Sequence, residues 1–383
     1  MQTTQRQFTT DETILTMAVE LAGASWKLAL DDGRRRSPRV VRCDADEPGA
    51  RLHELLAEIE AVRRRWDLPA EVRVVVGYEA GQDGFWLARA LEDNGLEAVV
   101  IDPASIPVER HHRRRKTDRL DAIRLVLALR RWLRGELDAM RPVRIPSVEA
   151  EDQRWRVRDR KQLQKERNQH RDRMRKLLRT QGCWVEIDAR FGQRLERGEI
   201  RDWQGRALGP GLRTRLAAEW QRLELVETQL EQREAELCAG DVLTPAAQAQ
   251  IEQLQKLRAV GPYTAIPLVM ELYGWRDFRN RREVGSCAGL VGQPYDSGES
   301  RVDQGISKQG KRQVRALLIE LAWLWLRYQP DSELSRWFAE RTRGQGKRVR
   351  RIMIVAVARK LAIALWRYLD TGEIPAGARL KAA

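Results

Sequence analysis

Hydrophobic positions in the first third of the chain switch between a period of two and a period of about 3.6. Residues 14–20 (ILTMAVE) are β-like, residues 25–30 form a hairpin partner after the turn at 21–24, and residues 40–43 make a third strand. Pro48 opens a helix whose Leu52, Leu55, Leu56 and Ile59 share one face, ending near Asp67-Leu68-Pro69. The apolar run 72–76 leads to Gly77-Tyr78-Glu79. A helix from about 84 to 94 and a strand at 96–101 follow. After the basic connection HHRRRK, Thr117-Asp118 starts a helix reaching Arg134, with Leu120, Ile123, Leu127 and Leu133 at helical spacing. Three strands, helix, strand, helix, strand, helix is the order of an RNase H-like (RuvC-like) domain, a mixed sheet with flanking helices.

Pro142 and Pro146 mark a linker, and the chain beyond them turns helical and charged to about Leu237. Leu212, Leu216, Trp220, Leu223, Leu230 and Leu237 recur by threes, fours and sevens, which predicts a coiled-coil or helical-hairpin arm suited to dimerisation. From Thr244 the pattern is mostly helical, interrupted by a glycine-rich loop at 288–310. The expected organisation is an α/β carboxylate domain at 1–145, a basic helical segment at 146–243 and a mostly helical C-terminal domain at 244–383.

Charge narrows the function. The 383 residues carry a formal charge of +15, the field of a protein that meets polyanions. Residues 154–179 hold twelve Lys or Arg against three acids, interleaved with Trp155, Leu163, Met174, Leu177 and Leu178. That predicts a helix with a phosphate-facing stripe, and the arginine and tryptophan content favours nucleic acid over a membrane surface. The four cysteines (Cys43, Cys183, Cys238, Cys287) and four histidines (His53, His111, His112, His170) show no zinc or disulfide spacing. Any metal would therefore sit among carboxylates. The polar first dozen residues argue against a signal peptide and predict a cytoplasmic, nucleoid-associated protein. The longest apolar stretch, 352–365, is broken by Arg359 and Lys360 and is too short to span a bilayer.

Four acids stand at strand and helix ends: Glu20 and Glu79 close the first and fourth strands, while Asp118 and Asp121 open the last helix of the domain. Three residues apart on a helix, two carboxylates share a face and can flank a divalent ion. Two Mg²⁺ ions about 4 Å apart would orient a nucleophile and stabilise the leaving oxygen of a phosphodiester. Each acid has an ordinary reading too, as a solvated strand end or as a complement to a helix dipole. Beside them, Arg113, Arg114, Arg115 and Lys116 hold a phosphate backbone or solvate their segment.

The C-terminal segment is more specific: Ala288-Gly289-Leu290, then Tyr295-Asp296-Ser297-Gly298, then Gly305-Ile306-Ser307-Lys308-Gln309-Gly310-Lys311-Arg312-Gln313-Val314-Arg315. It resembles the C-terminal domain of the DEDD transposases, the one-ten family of insertion-sequence enzymes, also called bridge-RNA-guided recombinases. The resemblance extends over nearly the whole chain, since KTDRLDA and VGYEA are similar to the family's other acidic motifs. It implies that Glu20, Glu79, Asp118 and Asp121 bind metal and that Ser297 is the nucleophile joined covalently to DNA. It also implies a structured noncoding guide RNA, donor and target DNA as substrates, and a dimer or tetramer. The serine and the acids lie on distant segments, which suits a composite site between protomers.

Three positions depart from the family pattern. Glu20 replaces an aspartate and would shift the metal; Ala259 replaces one glycine of the hairpin LRAVGPYTA; Gly292 stands where proline is usual. Read from the residues themselves, Ser297 is expected in a flexible loop, with Arg301, Lys308, Lys311, Arg312 and Arg315 available to neutralise phosphate. Tyr295 is a rival nucleophile. Two other functions stay open at this point: a RuvC-like nuclease in which the acids activate water and Ser297 is structural, and a noncatalytic nucleic-acid-binding protein.

Overall fold

A computed structural model describes residues 13–106, 117–239, 243–297 and 300–382, with the backbone alone at 296, 297 and 300–303. The chain forms two compact units that meet in sequence between Pro146 and Ser147.

The first unit is a six-stranded mixed sheet in the order β3-β2-β1-β4-β5-β6. Its strands are β1 (Ile14–Leu21), β2 (Trp26–Asp31), β3 (Arg39–Cys43), β4 (Arg73–Glu79), β5 (Glu97–Ile101) and β6 (Pro142–Val143). The first three make an antiparallel meander, β4 and β5 join parallel, and β6 closes the edge antiparallel to β5. Helices α1 (Pro48–Arg65), α2 (Trp86–Asp93) and α3 (Asp118–Leu133) flank it. Strand parity divides the core. Leu15, Met17 and Val19 of β1, with Val74, Val76 and Tyr78 of β4, pack with Leu55, Ile59 and Leu87 of α1 and α2. The alternate residues, Ala18 and Val75, join Ala122, Leu125, Val126 and Leu129 of α3 on the other face. Small residues bring α3 close: a Cβ on Gly77 would stand 2.9 Å from a methyl of Leu129. This is the mixed sheet with flanking helices of an RNase H-like domain. The linker expected around Pro142 is partly strand, and an edge position tolerates the missing proline N–H.

In the second unit, α4 (Val148–Arg179) and α6 (Pro210–Ala239) run antiparallel. Ion pairs cross between them at Arg156–Glu236, Arg160–Glu234 and Arg171–Glu227, so partner numbers fall on one helix as they rise on the other. The short α5 (Phe191–Glu196) packs in the connection, over a core that includes Met174, Leu178, Phe191, Leu216 and Leu223. Toward the C-terminus come α7 (Pro245–Gln255), α8 (Pro262–Leu268), a π-helical turn (Val269–Tyr273) and α9 (Arg281–Cys287). They are followed by the strands β7 (Gly292–Ser297) and β8 (Ser300–Ile306), then α10 (Arg312–Tyr328), α11 (Glu333–Thr342) and α12 (Lys347–Thr371). Trp325 is fully buried among them and donates its indole N–H to Ser332 Oγ at 2.9 Å. Among the described residues no helix is long and apolar enough to cross a membrane.

Candidate functional site

The sheet register sets the first pair of acids. β1 and β4 run parallel with Val19 beside Tyr78, so Glu20 and Glu79 occupy the next step at the same strand ends. Both belong to the parity of Ala18 and Gly77, the set that faces α3. Leu125 and Leu129 of α3 pack on that face. The helix is fixed at its C-terminal end by Arg130, whose Nη1 donates to Asp31 Oδ2 at 2.6 Å and whose Nη2 donates to the Gly33 carbonyl at 2.8 Å. Asp31 pairs with Thr16, near the start of β1. From Arg130 back to Asp121 the helix rises about 13 Å, and from Thr16 to Glu20 the strand rises about 13 Å. The start of α3 therefore stands at the sheet edge where the two glutamates end.

Asp118 is exposed in the first turn, where Thr117 caps the helix by accepting from Leu120 N–H. Asp121 differs. Its Oδ1 accepts from Arg124 Nη1 at 3.3 Å, while its Oδ2 is buried and has no hydrogen-bond partner. A buried carboxylate oxygen without a donor costs roughly 1–3 kcal/mol or more and needs a reason. A hard cation supplies one, and an all-oxygen donor set fits Mg²⁺ chemistry. Among the described residues, however, no three Asp, Glu, His or Cys side chains are gathered closely enough to hold a metal ion. The acids at the ends of β1 and β4 and at the start of α3 thus form no ready cage among the described residues.

The segment around Ser297 departs from expectation. In place of a flexible loop, β7 and β8 form an antiparallel ribbon with a bulge between Gly292 and Pro294. Ser297, the last residue of β7, pairs with Ser300 at the ribbon's end. Tyr295, two positions back, pairs with Val302 and is 55% exposed, so exposure does not remove it as a rival. The ribbon's foot is held by backbone contacts: Ser307 N–H to the Val291 carbonyl (2.8 Å), Lys308 N–H to that of Gly289 (3.2 Å) and Lys311 N–H to that of Cys287 (3.3 Å). Gly310 is required there. A Cβ would fall 2.3 Å from the Cys287 carbonyl oxygen and 2.6 Å from the Gly289 nitrogen.

The basic candidates separate into different roles. Arg315 Nη1 donates to the Ala288 and Lys308 carbonyls, and Lys311 Nζ bonds Glu271 Oε2 at 2.5 Å, so both brace the fold around the ribbon. Lys308 and Arg312 are exposed beside it. Arg113, Arg114, Arg115 and Lys116 lie outside the described residues, as does the side chain of Arg301. The arginine stripe of α4 is largely turned inward: beyond the three pairs already named, Arg173 bonds Glu219 of α6 at 3.0 Å and Arg158 bonds Glu271 at 2.9 Å. Glu219 is itself buried and contacts His170 Nδ1 at 2.6 Å.

Two features go beyond what the local pattern shows. Ala259, which stands where a glycine is usual, adopts a left-handed φ of 78°, a conformation that favours glycine, in the hairpin between α7 and α8. That hairpin is strapped by the C-terminal segment, with Lys381 N–H on the Lys256 carbonyl (2.8 Å) and Arg258 N–H on that of Arg379 (3.2 Å). The second is Glu271, 4% exposed within the apolar run IPLVMELYGW. An isolated acid in such a run was the available signal.

Comparison with known proteins finds transposases along the chain. Residues 28–181 match the family model DEDD_Tnp_IS110, described as a transposase, and residues 251–336 match the model of the transposase IS116/IS110/IS902 family. The first match includes Glu79, Asp118 and Asp121 and begins beyond Glu20; the second includes the hairpin and Ser297. The chain is 37% identical over 379 residues to "Putative transposase y4rJ" of Sinorhizobium fredii, covering 95% of this chain and 94% of that protein. It is 26% identical to the transposase for insertion sequence element IS1111A of Coxiella burnetii, over 79% of each chain.

Proposed function

The chain belongs to the IS110 family of insertion-sequence transposases, DNA-cleaving and rejoining enzymes, and from that premise we propose that it breaks and reseals DNA through a phosphoserine at Ser297. The Ser297 oxygen attacks phosphorus, one phosphorus–sugar oxygen bond breaks as the new ester forms, and the released sugar hydroxyl takes up a proton. Attack by a second hydroxyl on that ester regenerates the serine, so no external energy source is required. What supports a nucleophile at this position is its place at the end of a ribbon whose foot is tightly fixed.

The observation that carries the carboxylate half is the buried, unpartnered Oδ2 of Asp121 at the edge where Glu20 and Glu79 end. Glu20, Glu79, Asp118 and Asp121 would hold Mg²⁺, which when bound would offset charge on a phosphodiester. Arg124 orients Asp121 by holding its other oxygen. Lys308, Arg312 and Arg301, with Arg113, Arg114, Arg115 and Lys116, would contact the phosphate backbone. The formal charge of +15 is compatible with a guide RNA beside the DNA, and the antiparallel α4 and α6 offer a long surface for a second copy of the chain.

The test is peptide mapping after reaction with the element's DNA ends and candidate RNA. A nucleotide remnant on the peptide bearing Ser297, unchanged in Tyr295→Phe, is expected. A remnant on Tyr295, or cleavage with no remnant anywhere, would replace this chemistry with a tyrosine or a water-using mechanism.

A further inference from the structure

Glu271 sits in the π-helical turn, a local geometry often found at functional sites. Its carboxylate receives Arg158 Nε at 2.9 Å and Lys311 Nζ at 2.5 Å, with Arg154 Nε 3.8 Å away. The guanidinium groups of Arg154 and Arg276 lie 4.3 and 4.2 Å from the ring centre of the neighbouring Trp275, and Lys311 Nζ lies 5.3 Å from it. One buried carboxylate thus faces three cations, while a fourth, Arg276, lies against the Trp275 ring. Glu151 adds a further negative charge near Arg154, and Lys161 a further positive one near Glu271, leaving the cluster strongly cationic.

Hydrogen bonding tells the same story. Arg154 is 7% exposed and Trp275 is 8% exposed, yet Arg154 Nε, Arg276 Nε and Trp275 Nε1 are all buried with no hydrogen-bond partner. Buried polar groups are normally satisfied, and three unpartnered donors among surplus positive charge suit an anion with several acceptor oxygens. A phosphodiester has that character. The position is apt as well, because Lys311 also anchors the foot of the β7–β8 ribbon through its backbone N–H.

We propose that Arg154, Arg276, Lys311 and Trp275 form a binding site for one phosphate of a nucleic-acid backbone, with Glu271 holding the cations in place until that phosphate arrives. The inference rests on the reading of this chain as a nucleic-acid enzyme and adds a site outside the carboxylate and serine residues. Burial pushes the Lys311 ammonium down to about 8 in spite of Glu271, as expected where cations crowd one another.

The experiment measures binding of a duplex DNA and of an RNA hairpin to the full chain across a salt series, for wild type, Arg276→Gln and Glu271→Gln. Arg276→Gln is expected to weaken binding and flatten the slope of log K against log salt by about 1. Glu271→Gln, which removes a competing negative charge, is expected to tighten binding several-fold. The nucleic acid that shows the slope change is the one the site holds. Inorganic phosphate gives an arm independent of Glu271→Gln folding: added at constant ionic strength, it is expected to raise the wild-type Tm more than that of Arg276→Gln. Binding and phosphate stabilisation that the variants leave unchanged would overturn the site alone. Failure of wild type to bind either nucleic acid would overturn the functional reading and the site together.

Discussion

One buried ion pair fixes the C-terminal end of α3, which makes a quantitative test possible. Asp31 has a side chain 2% exposed and Arg130 one 19% exposed, and they meet at 2.6 Å. Arg130 also donates to the Gly33 carbonyl, and Gly33 N–H returns a bond to Asp31 Oδ1 at 2.8 Å. Removing one partner leaves the other charge buried and unpaired, at a cost of about 3–5 kcal/mol; partial exposure of the arginine points to the lower end, ~3 kcal/mol for Asp31→Ala. Replacing both partners, as Asp31→Ala with Arg130→Met, is expected to recover much of that loss. Urea denaturation of the wild type, the two single variants and the double variant gives the coupling energy, expected above about 1.5 kcal/mol. DNA cleavage should fall in the single variants in native buffer, because α3 carries Asp118 and Asp121 to the sheet edge. Strictly additive effects, or wild-type cleavage by a destabilised Asp31→Ala protein, would refute the claim that this pair positions the helix.

Three further outcomes follow from packing and charge. Gly77→Ala sets a Cβ 2.9 Å from Leu129 and should cost about 1–3 kcal/mol by overpacking; an unchanged urea midpoint would show that α3 has room to move. Gly310→Ala forces a Cβ against backbone atoms rather than a flexible side chain, so covalent-adduct formation should be lost even where circular dichroism is preserved; a fully active variant would contradict the account of the ribbon's foot. Burial alone would raise the Glu271 carboxyl, but the Arg158 hydrogen bond and the Lys311 charge outweigh it and hold the group below the ordinary carboxylate value. Its stabilising contribution is then complete above that ordinary value and is lost as pH falls through the lowered one. Acid unfolding of Glu271→Gln should therefore have a shallower pH dependence than wild type, and identical profiles would show that the carboxylate contributes nothing.

The legible parts of this protein are those written in local pattern. Apolar residues in short runs announced β1, β2, β4 and β5 and put Glu20 and Glu79 at strand ends, whereas the side of the sheet they share with α3 follows from the register. The β7–β8 ribbon was hidden because Gly292, Pro294 and Gly305 are loop-forming residues, and pairing Gly292 with Ile306 is not a local event. Charge sign was equally visible in α4, but its partners were not. Arg158 finds Glu271 across 113 residues, so a stripe that looks available to phosphate is in large part committed within the chain. The orphaned oxygen of Asp121 likewise depends on three-dimensional burial, and no spacing rule would have separated it from Asp118.

In the proposed function the carboxylates and the serine serve one reaction. Its most direct measurement is covalent protein–DNA adduct formation in Mg²⁺ with the element's ends and RNA, for wild type, Ser297→Ala, Tyr295→Phe and Asp121→Asn, each shown to bind DNA. The account predicts adducts for wild type and Tyr295→Phe only, and their loss on chelation of the metal. An adduct that survives Ser297→Ala, or one formed equally well by Asp121→Asn, would contradict it.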